Sequence, residues 1–223
     1  RTPFSGGSGA LPERPSMAGG ALAVGLLTFV LTGVIGLYFL HLRGWSLLPL
    51  GLLGLLLVIA YTVWFAYNPF LCLIAPGLGF GPLMVMGTNF VLTGEYSWTA
   101  FVASLVPFFL VSDLLLLNQF PDVNADRSIG RKNYPIVIGK QTSSFIYGAF
   151  LLFAYLSVIY GVYYAYLPGV SLLGLGTVAI AVPTLVGVFR YAENTEKLIP
   201  YLGLNVVIDI ATPVLVAAGL FFG

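Results

Sequence analysis

The sequence predicts an all-α protein, a polytopic transmembrane helical bundle, and three observations lead to that fold class. Hydrophobic residues make up 59% of the 223 residues and charged residues only 8%, whereas a soluble domain carries about 25% charged residues. The mean hydropathy is +0.99. Long apolar runs recur along the chain, and ~20 such residues cross a bilayer as one helix. This composition excludes a soluble globular protein, because too little polar surface remains to face water.

Seven spans of the required length follow one another along the chain. They lie at about 17–40, 46–67, 69–92, 97–120, 143–166, 168–189 and 200–222. The third span is interrupted by prolines and glycines in the stretch PGLGFGP, residues 76–82. Broken backbone at membrane depth is tolerated where it is buried in protein or lines a cavity. Both a kinked packing helix and a cavity wall fit this span.

The basic residues predict the orientation of the spans. If the loops alternate between the two sides, one side holds Arg1, Arg14, Arg127, Arg131, Lys132, Lys140, Arg190 and Lys197. The opposite side holds only Arg43. Basic loops stay in the cytoplasm, so we expect cytoplasmic loops at 1–16 and 121–142 within a single membrane domain over 1–223. The single cysteine, Cys72, excludes an intrachain disulfide.

The fourth span ends in a cluster of polar and charged residues, LNQFPDVNADRSIGRKNYP, residues 117–135. Asn118, Asp122 and Asp126 follow one another at intervals of four, so on a helix they lie within an arc of about 80°. Mg²⁺ takes oxygen ligands, typically one or two carboxylates plus substrate phosphate and water. We therefore predict these three residues as metal ligands, with both aspartates needed for catalysis. Pro121 leaves two local structures open: a kink or stop in the helix, or the start of a new short helix.

Basic residues follow this stripe directly. Guanidinium and ammonium groups bind phosphate through charge-assisted hydrogen bonds, so we predict Arg127, Arg131 and Lys132 as substrate-binding residues. The alternative is an ordinary cytoplasmic loop in which acids and bases pair. The regular N-x-x-x-D-x-x-x-D spacing at a membrane boundary favours a site for a diphosphate held through Mg²⁺.

The stretch NQFPDVNADRSIGRKNYPIVIGK, residues 118–140, resembles the second aspartate-rich motif of a known family. That family is the UbiA superfamily of intramembrane prenyltransferases. The most similar form is that of the 1,4-dihydroxy-2-naphthoate prenyltransferases of menaquinone synthesis. Two further stretches resemble that group: RTPFSGGSGALPER, after its first aspartate-rich motif, and GLGFGPLMVMGTNFVLTG, from a helical region. The resemblance covers most of the chain.

The resemblance implies a bundle of nine spans, seven of them in this chain, around a central cavity. It implies Mg²⁺ bound by two aspartate-rich motifs, an isoprenyl diphosphate donor and a small aromatic acceptor. Asn118, Asp122 and Asp126 are then the second-motif positions, and Arg131 and Lys132 contact the diphosphate. We expect an enzyme of the lipid bilayer, in a bacterial or archaeal cell membrane with its active site facing the cytoplasm. We expect neither nucleic acid nor an obligate protein partner.

Two departures from the family pattern bear on this interpretation. No first aspartate-rich motif occurs in the 223 residues, and Arg1 begins in the segment that resembles the family's stretch just after that motif. We therefore expect about two further helices upstream, ending in an N/D-x-x-x-D cluster. The resemblance implies a basic loop before GLGF, but that stretch has no Lys or Arg. The acceptor therefore stays open among a naphthoate, 4-hydroxybenzoate, homogentisate and a tetrapyrrole.

A membrane transporter or channel is the alternative function, because intramembrane acids and a broken span also occur there. The charges of this chain gather at one membrane face and not at the midplane, which favours the prenyltransferase. A catalytically inactive family fragment is the third interpretation.

Two acids lie within the predicted spans. Asp113 is on the helix face opposite the stripe, and we predict that it makes a polar contact between helices. Asp209 either lines the cavity or contacts a neighbouring helix. The glycine-rich SGGSG, residues 5–9, fits a phosphate-cradling turn, a flexible connection or a linker. Of these we predict a flexible or substrate-covering cytoplasmic loop.

Overall fold

The structure is a computed structural model that describes residues 2–3 and 10–223, so Arg1 and the SGGSG stretch lie outside the described residues. This part of the chain is largely helical. Its α-helices are, in chain order, α1 (Ala10–Glu13), α2 (Ala18–Arg43), α3 (Leu48–Val63), α4 (Pro69–Leu78), α5 (Met84–Thr93), α6 (Trp98–Ser128), α7 (Tyr134–Val137), α8 (Lys140–Tyr163), α9 (Val178–Tyr191) and α10 (Thr195–Phe222).

Seven helical segments of the described part are long and apolar enough to cross a membrane. They contain α2, α3, α4 with α5, α6, α8, α9 and α10. A π-helical turn, Gly79–Leu83, joins α4 to α5, and a 3₁₀ helix, Gly169–Thr177, leads into α9. The predicted all-α class and the seven spans of this chain are therefore confirmed, while the nine-span bundle around a central cavity stays a prediction.

The interruption of the third span lets its backbone pack directly against α6. A Cβ atom at Gly77 would collide with the carbonyl oxygen of Phe108, and a Cβ atom at Gly81 would lie 2.6 Å from that of Ser104. Such a close approach requires glycine, as at the small-residue interfaces of other membrane helices. Of the two roles open for this span, packing is the one observed, and it fixes α4 beside α6.

Hydrogen bonds between distant connections show that successive loops lie at alternate ends of the bundle. At one end, Arg43 donates to the carbonyl groups of Val91 and Leu92 at 2.5 and 2.9 Å. At the other end, the backbone N–H of Lys132 donates to the carbonyl of Ala66 at 3.0 Å. This second end carries the basic cluster. Its cytoplasmic orientation stays a prediction from the charge distribution.

Helix α6 is the most buried of the seven spans in the described part. Half of its apolar window lies inside the protein, and Val106, Leu117 and Phe120 have no exposed surface. It packs against α4, α8 and α10. By contrast, no residue of α2 is buried. The candidate site is therefore built on the span that the rest of the bundle holds most firmly.

Candidate active site at the end of the fourth span

The predicted oxygen-rich stripe lies on one continuous helix. Helix α6 neither stops nor starts at Pro121 but continues to Ser128, so the stop and the new short helix that Pro121 left open are not observed. The boundary of the cytoplasmic segment at residue 121 stays a prediction. A proline removes one backbone donor, and the buried Val123 and Asp126 beyond it pack the last turns against the bundle. Asn118, Asp122 and Asp126 therefore share one helix face, as their spacing predicts.

Asp126 organises the turn that follows α6. Its Oδ1 accepts a hydrogen bond from Arg131 Nη1 at 3.1 Å, and its Oδ2 accepts one from Asn133 Nδ2 at 3.0 Å. Its backbone carbonyl accepts from the Arg131 N–H at 3.0 Å. The chain reverses at Gly130, whose φ of 79° suits glycine. This buried carboxylate thus holds a guanidinium at the end of the stripe through charge-assisted hydrogen bonds.

Asn133 links this turn to the next helix, and sequence reasoning missed it. Besides donating to Asp126, its side chain accepts from the Ile136 N–H at 3.1 Å and so caps the N-terminus of α7. Only 2% of its surface is exposed. An asparagine just before a helix with proline in its first turn is a known capping pattern. That pattern predicts the cap, but nothing local in the sequence predicts the bond to Asp126.

The three predicted basic residues gather at this end of the bundle. Arg127 lies in the last turn of α6, and Arg131 and Lys132 lie in the following turn. All three side chains are exposed, and Arg131 is directed by its ion pair with Asp126. The backbone of Lys132 is tied to the α3–α4 connection at Ala66. The turn is therefore anchored at two points while its cations stay accessible to an anion.

A layer of polar side chains that sequence reasoning also missed adjoins the stripe. Gln119 Nε2 donates to Cys72 Sγ at 3.3 Å, and Tyr61 Oη lies 4.0 Å from the same sulfur. These three side chains come from α6, α4 and α3. No single stretch of sequence carries a signal for the layer, because it depends on which helices meet.

The oxygen atoms of the stripe fit Mg²⁺. Asn118 Oδ1 is buried without a hydrogen-bond partner in the described part of the protein, which is costly unless a ligand satisfies it. Asp122 is half-buried on the same face. Asp126 keeps acceptor capacity, since an ionised carboxylate has about four lone-pair sites. No group of three or more His, Cys, Asp or Glu residues that could hold a metal occurs among the described residues, so the stripe would supply part of a coordination sphere.

The two intramembrane acids, Asp113 and Asp209, lie on α6 and α10. Asp113 is fully buried, and neither of its carboxylate oxygens has a hydrogen-bond partner within the residues described. The predicted polar contact between helices is therefore not made by a hydrogen bond of Asp113. Asp209 Oδ1 is likewise buried and unpaired within that part of the chain. Nearby on α10, Asn205 accepts a hydrogen bond from the Tyr147 hydroxyl of α8 at 2.8 Å.

Comparison with known families assigns the fold that carries this site. The UbiA prenyltransferase family matches residues 11–206, which include the stripe and the basic turn. The chain belongs to this family. The resemblance predicted from residues 118–140 is thereby confirmed, and the UbiA-family assignment covers the whole bundle from α2 to the middle of α10.

Two curated proteins are similar to this UbiA-family chain. It is 24% identical over 199 residues to the 2-carboxy-1,4-naphthoquinone phytyltransferase of Synechocystis sp., covering 86% of this chain and 64% of that protein. It is 26% identical over 141 residues to the 1,4-dihydroxy-2-naphthoate octaprenyltransferase of Bacillus subtilis, covering 62% and 45%. The chain therefore spans less than two thirds of the length of either relative. No solved structure matches it significantly.

Proposed function

We propose that the full-length protein transfers an isoprenyl group from an isoprenyl diphosphate to an aromatic quinone precursor, with Mg²⁺ as cofactor. The observation that carries this proposal is the arrangement at the end of α6. There, the unpaired Asn118 oxygen and the Asp122 carboxylate share a helix face with Asp126, which in turn directs Arg131. Oxygen ligands for a cation beside a fixed guanidinium suit a metal-bound diphosphate.

Each residue of the site has a role in this reaction. Asn118, Asp122 and Asp126 would hold Mg²⁺, which offsets negative charge on the leaving diphosphate when bound. Arg131, with Arg127 and Lys132 beside it, binds diphosphate oxygens and stabilises the charge that develops on them. Asp126 acts on Arg131 as well, because its hydrogen bond sets where the guanidinium lies.

The bond changes follow from the donor chemistry. The allylic C–O bond breaks with its electron pair on the diphosphate, and the resulting carbocation forms a C–C bond with the aromatic ring. The ring then loses a proton. The cationic end of α6 stabilises the leaving group, and the apolar spans exclude water that would otherwise capture the carbocation.

The acceptor that we propose is a naphthoate-type ring. Both relatives are named for a naphthoquinone or naphthoate acceptor, whereas their named prenyl groups differ, phytyl in one and octaprenyl in the other. The acceptor class is therefore the common feature. We place the site at the cytoplasmic face of the membrane, because the end of the bundle that holds it carries the basic cluster.

The test uses membranes that contain the full-length protein, radiolabelled isoprenyl diphosphates of several lengths and a panel of aromatic acceptors. We expect a prenylated naphthoate-type product that requires Mg²⁺ and disappears on chelation. Prenylation of 4-hydroxybenzoate or homogentisate instead would overturn the acceptor class and leave the reaction standing. Movement of substrate across sealed vesicles without any prenylated product would identify a transporter and overturn the proposal.

A further inference from the structure

A crevice opens on the outer surface of the bundle between α9 and α10. Its volume is about 330 Å³, at the lower end of the range for small-molecule sites. Val182, Pro183 and Val186 form one wall, and the two valines are 56% and 59% exposed. A Cβ atom at Gly187 would collide with the Tyr201 ring, so this glycine allows the ring to lie against α9 and form the floor.

Arg190 and Tyr191 line the rim of the crevice at the basic end of the bundle, and Lys197 lies beside the Tyr191 ring. The Arg190 guanidinium carbon lies 5.5 Å from the centroid of the Tyr191 ring, and Lys197 Nζ lies 5.8 Å from it. Neither cation lies within 4.0 Å of a carboxylate of Glu193 or Glu196 in this described segment. Each of these cations attracts an anion, and both lie over the same ring.

The position of the crevice identifies the kind of anion. Its apolar wall lies at membrane depth, and its cationic rim lies at the end that the positive-inside rule places in the cytoplasm. Tyr191 and Tyr201 stack there with ring centroids 5.8 Å apart, and tyrosine is enriched at the headgroup level of membranes. The cytoplasmic leaflet contains anionic lipids that basic residues attract. A phospholipid offers a phosphate for the rim and an acyl chain for the wall.

We propose that the crevice between α9 and α10 binds one anionic phospholipid of the cytoplasmic leaflet. Its phosphate lies between Arg190 and Lys197, and one acyl chain runs along Val182, Pro183 and Val186. This site is separate from the stripe on α6 and does not depend on the proposed prenyl transfer. An isoprenyl diphosphate shares the same chemistry of anion and apolar chain, so the experiment must distinguish the two.

Native mass spectrometry of the full-length protein in detergent measures the lipids retained. The probes are phosphatidylglycerol and phosphatidylcholine with identical acyl chains, each titrated into delipidated protein. We expect tighter binding of one phosphatidylglycerol, and a loss of about five-fold in affinity for each of Arg190→Gln and Lys197→Gln, from the usual strength of one basic residue near an anionic surface. Arg14→Gln, at the same end but outside the crevice, should leave the affinity unchanged.

A second pair of variants tests the apolar wall. Val186→Trp fills the crevice and should weaken phosphatidylglycerol binding, whereas Val214→Trp, at an equally exposed valine of α10, should not. Lys197→Arg should retain binding. Equal binding of the two lipids, or wild-type affinity in the Arg190→Gln and Lys197→Gln variants, would overturn the proposal. Displacement of the lipid from the crevice by an isoprenyl diphosphate would overturn it in favour of a substrate site.

Discussion

Replacing Asn133 by alanine should loosen the basic turn that follows α6. The substitution removes the hydrogen bond to the Asp126 carboxylate at 3.0 Å and the cap on Ile136 at 3.1 Å. A hydrogen bond to a charged group contributes about 1.5–3 kcal/mol and an N-cap about 1 kcal/mol. The turn should therefore lose about 2.5–4 kcal/mol of local stability. This loss raises the equilibrium constant for opening of the turn by about 10²- to 10³-fold.

Two measurements report this change in the full-length protein. Hydrogen exchange of residues 129–139 reports the opening of the turn, and the KM for isoprenyl diphosphate reports the position of Arg131. We expect faster exchange and a raised KM. Asn133→Asp keeps the oxygen that caps α7 but replaces the donor to Asp126 with a second acid, so the KM should rise while α7 stays protected.

The control is Asn194→Ala, which removes the equivalent cap at the start of α10, where Lys197 N–H donates to Asn194 at 3.1 Å. This variant loses a cap of the same kind away from the stripe, so exchange of residues 129–139 and the KM should match wild type. If Asn133→Ala exchanged as slowly as wild type with an unchanged KM, the reasoning that ties Asn133 and Asp126 to the position of Arg131 would be refuted.

Three further predictions concern other parts of the protein. Gly77→Ala should lower the thermal unfolding midpoint, because its Cβ would meet the Phe108 carbonyl, whereas Gly79→Ala, with open space around it, should change the midpoint much less. Asp113→Asn should chiefly raise the thermal unfolding midpoint, because an unpaired buried carboxyl is costly. A large loss of turnover at normal stability would contradict this prediction. Arg131→Lys keeps the charge but loses the fixed guanidinium geometry. We expect the KM for isoprenyl diphosphate to rise by about ten-fold, or 1.4 kcal/mol. An unchanged KM would count against a contact between Arg131 and the diphosphate.

The sequence predicts features that depend on composition and on spacing along one helix. Seven apolar runs predict the seven spans, and intervals of four residues predict that Asn118, Asp122 and Asp126 share a face. Both are local properties of an α-helix. Sequence alone leaves the local structure at Pro121 open because proline weighs against a helix locally. The buried Val123 and Asp126 that hold the last turns of α6 belong to tertiary packing.

Features that join distant segments could not be predicted in this way. The bond from Asn133 to Asp126 crosses a reversal at Gly130, and the contact of Gln119 with Cys72 requires α4 to lie beside α6. The glycines of the third span make that approach possible. Sequence alone leaves their role open between packing and a cavity wall, because it does not show which surface a broken helix faces.

The most direct test of the central claim is the Mg²⁺ dependence of diphosphate binding at the stripe on α6. Binding of a non-reactive isoprenyl thiodiphosphate to the full-length protein is measured by calorimetry with Mg²⁺ and with a chelator, for wild type, Asp122→Asn and the control Glu193→Gln. We predict Mg²⁺-dependent binding by wild type and by the control, and a reduced Mg²⁺-dependent binding by Asp122→Asn. In the prenyl-transfer assay, the turnover of Asp122→Asn should fall about 10²- to 10³-fold, as for loss of one electrostatic stabiliser. Equal, Mg²⁺-independent binding by wild type and Asp122→Asn would contradict the account.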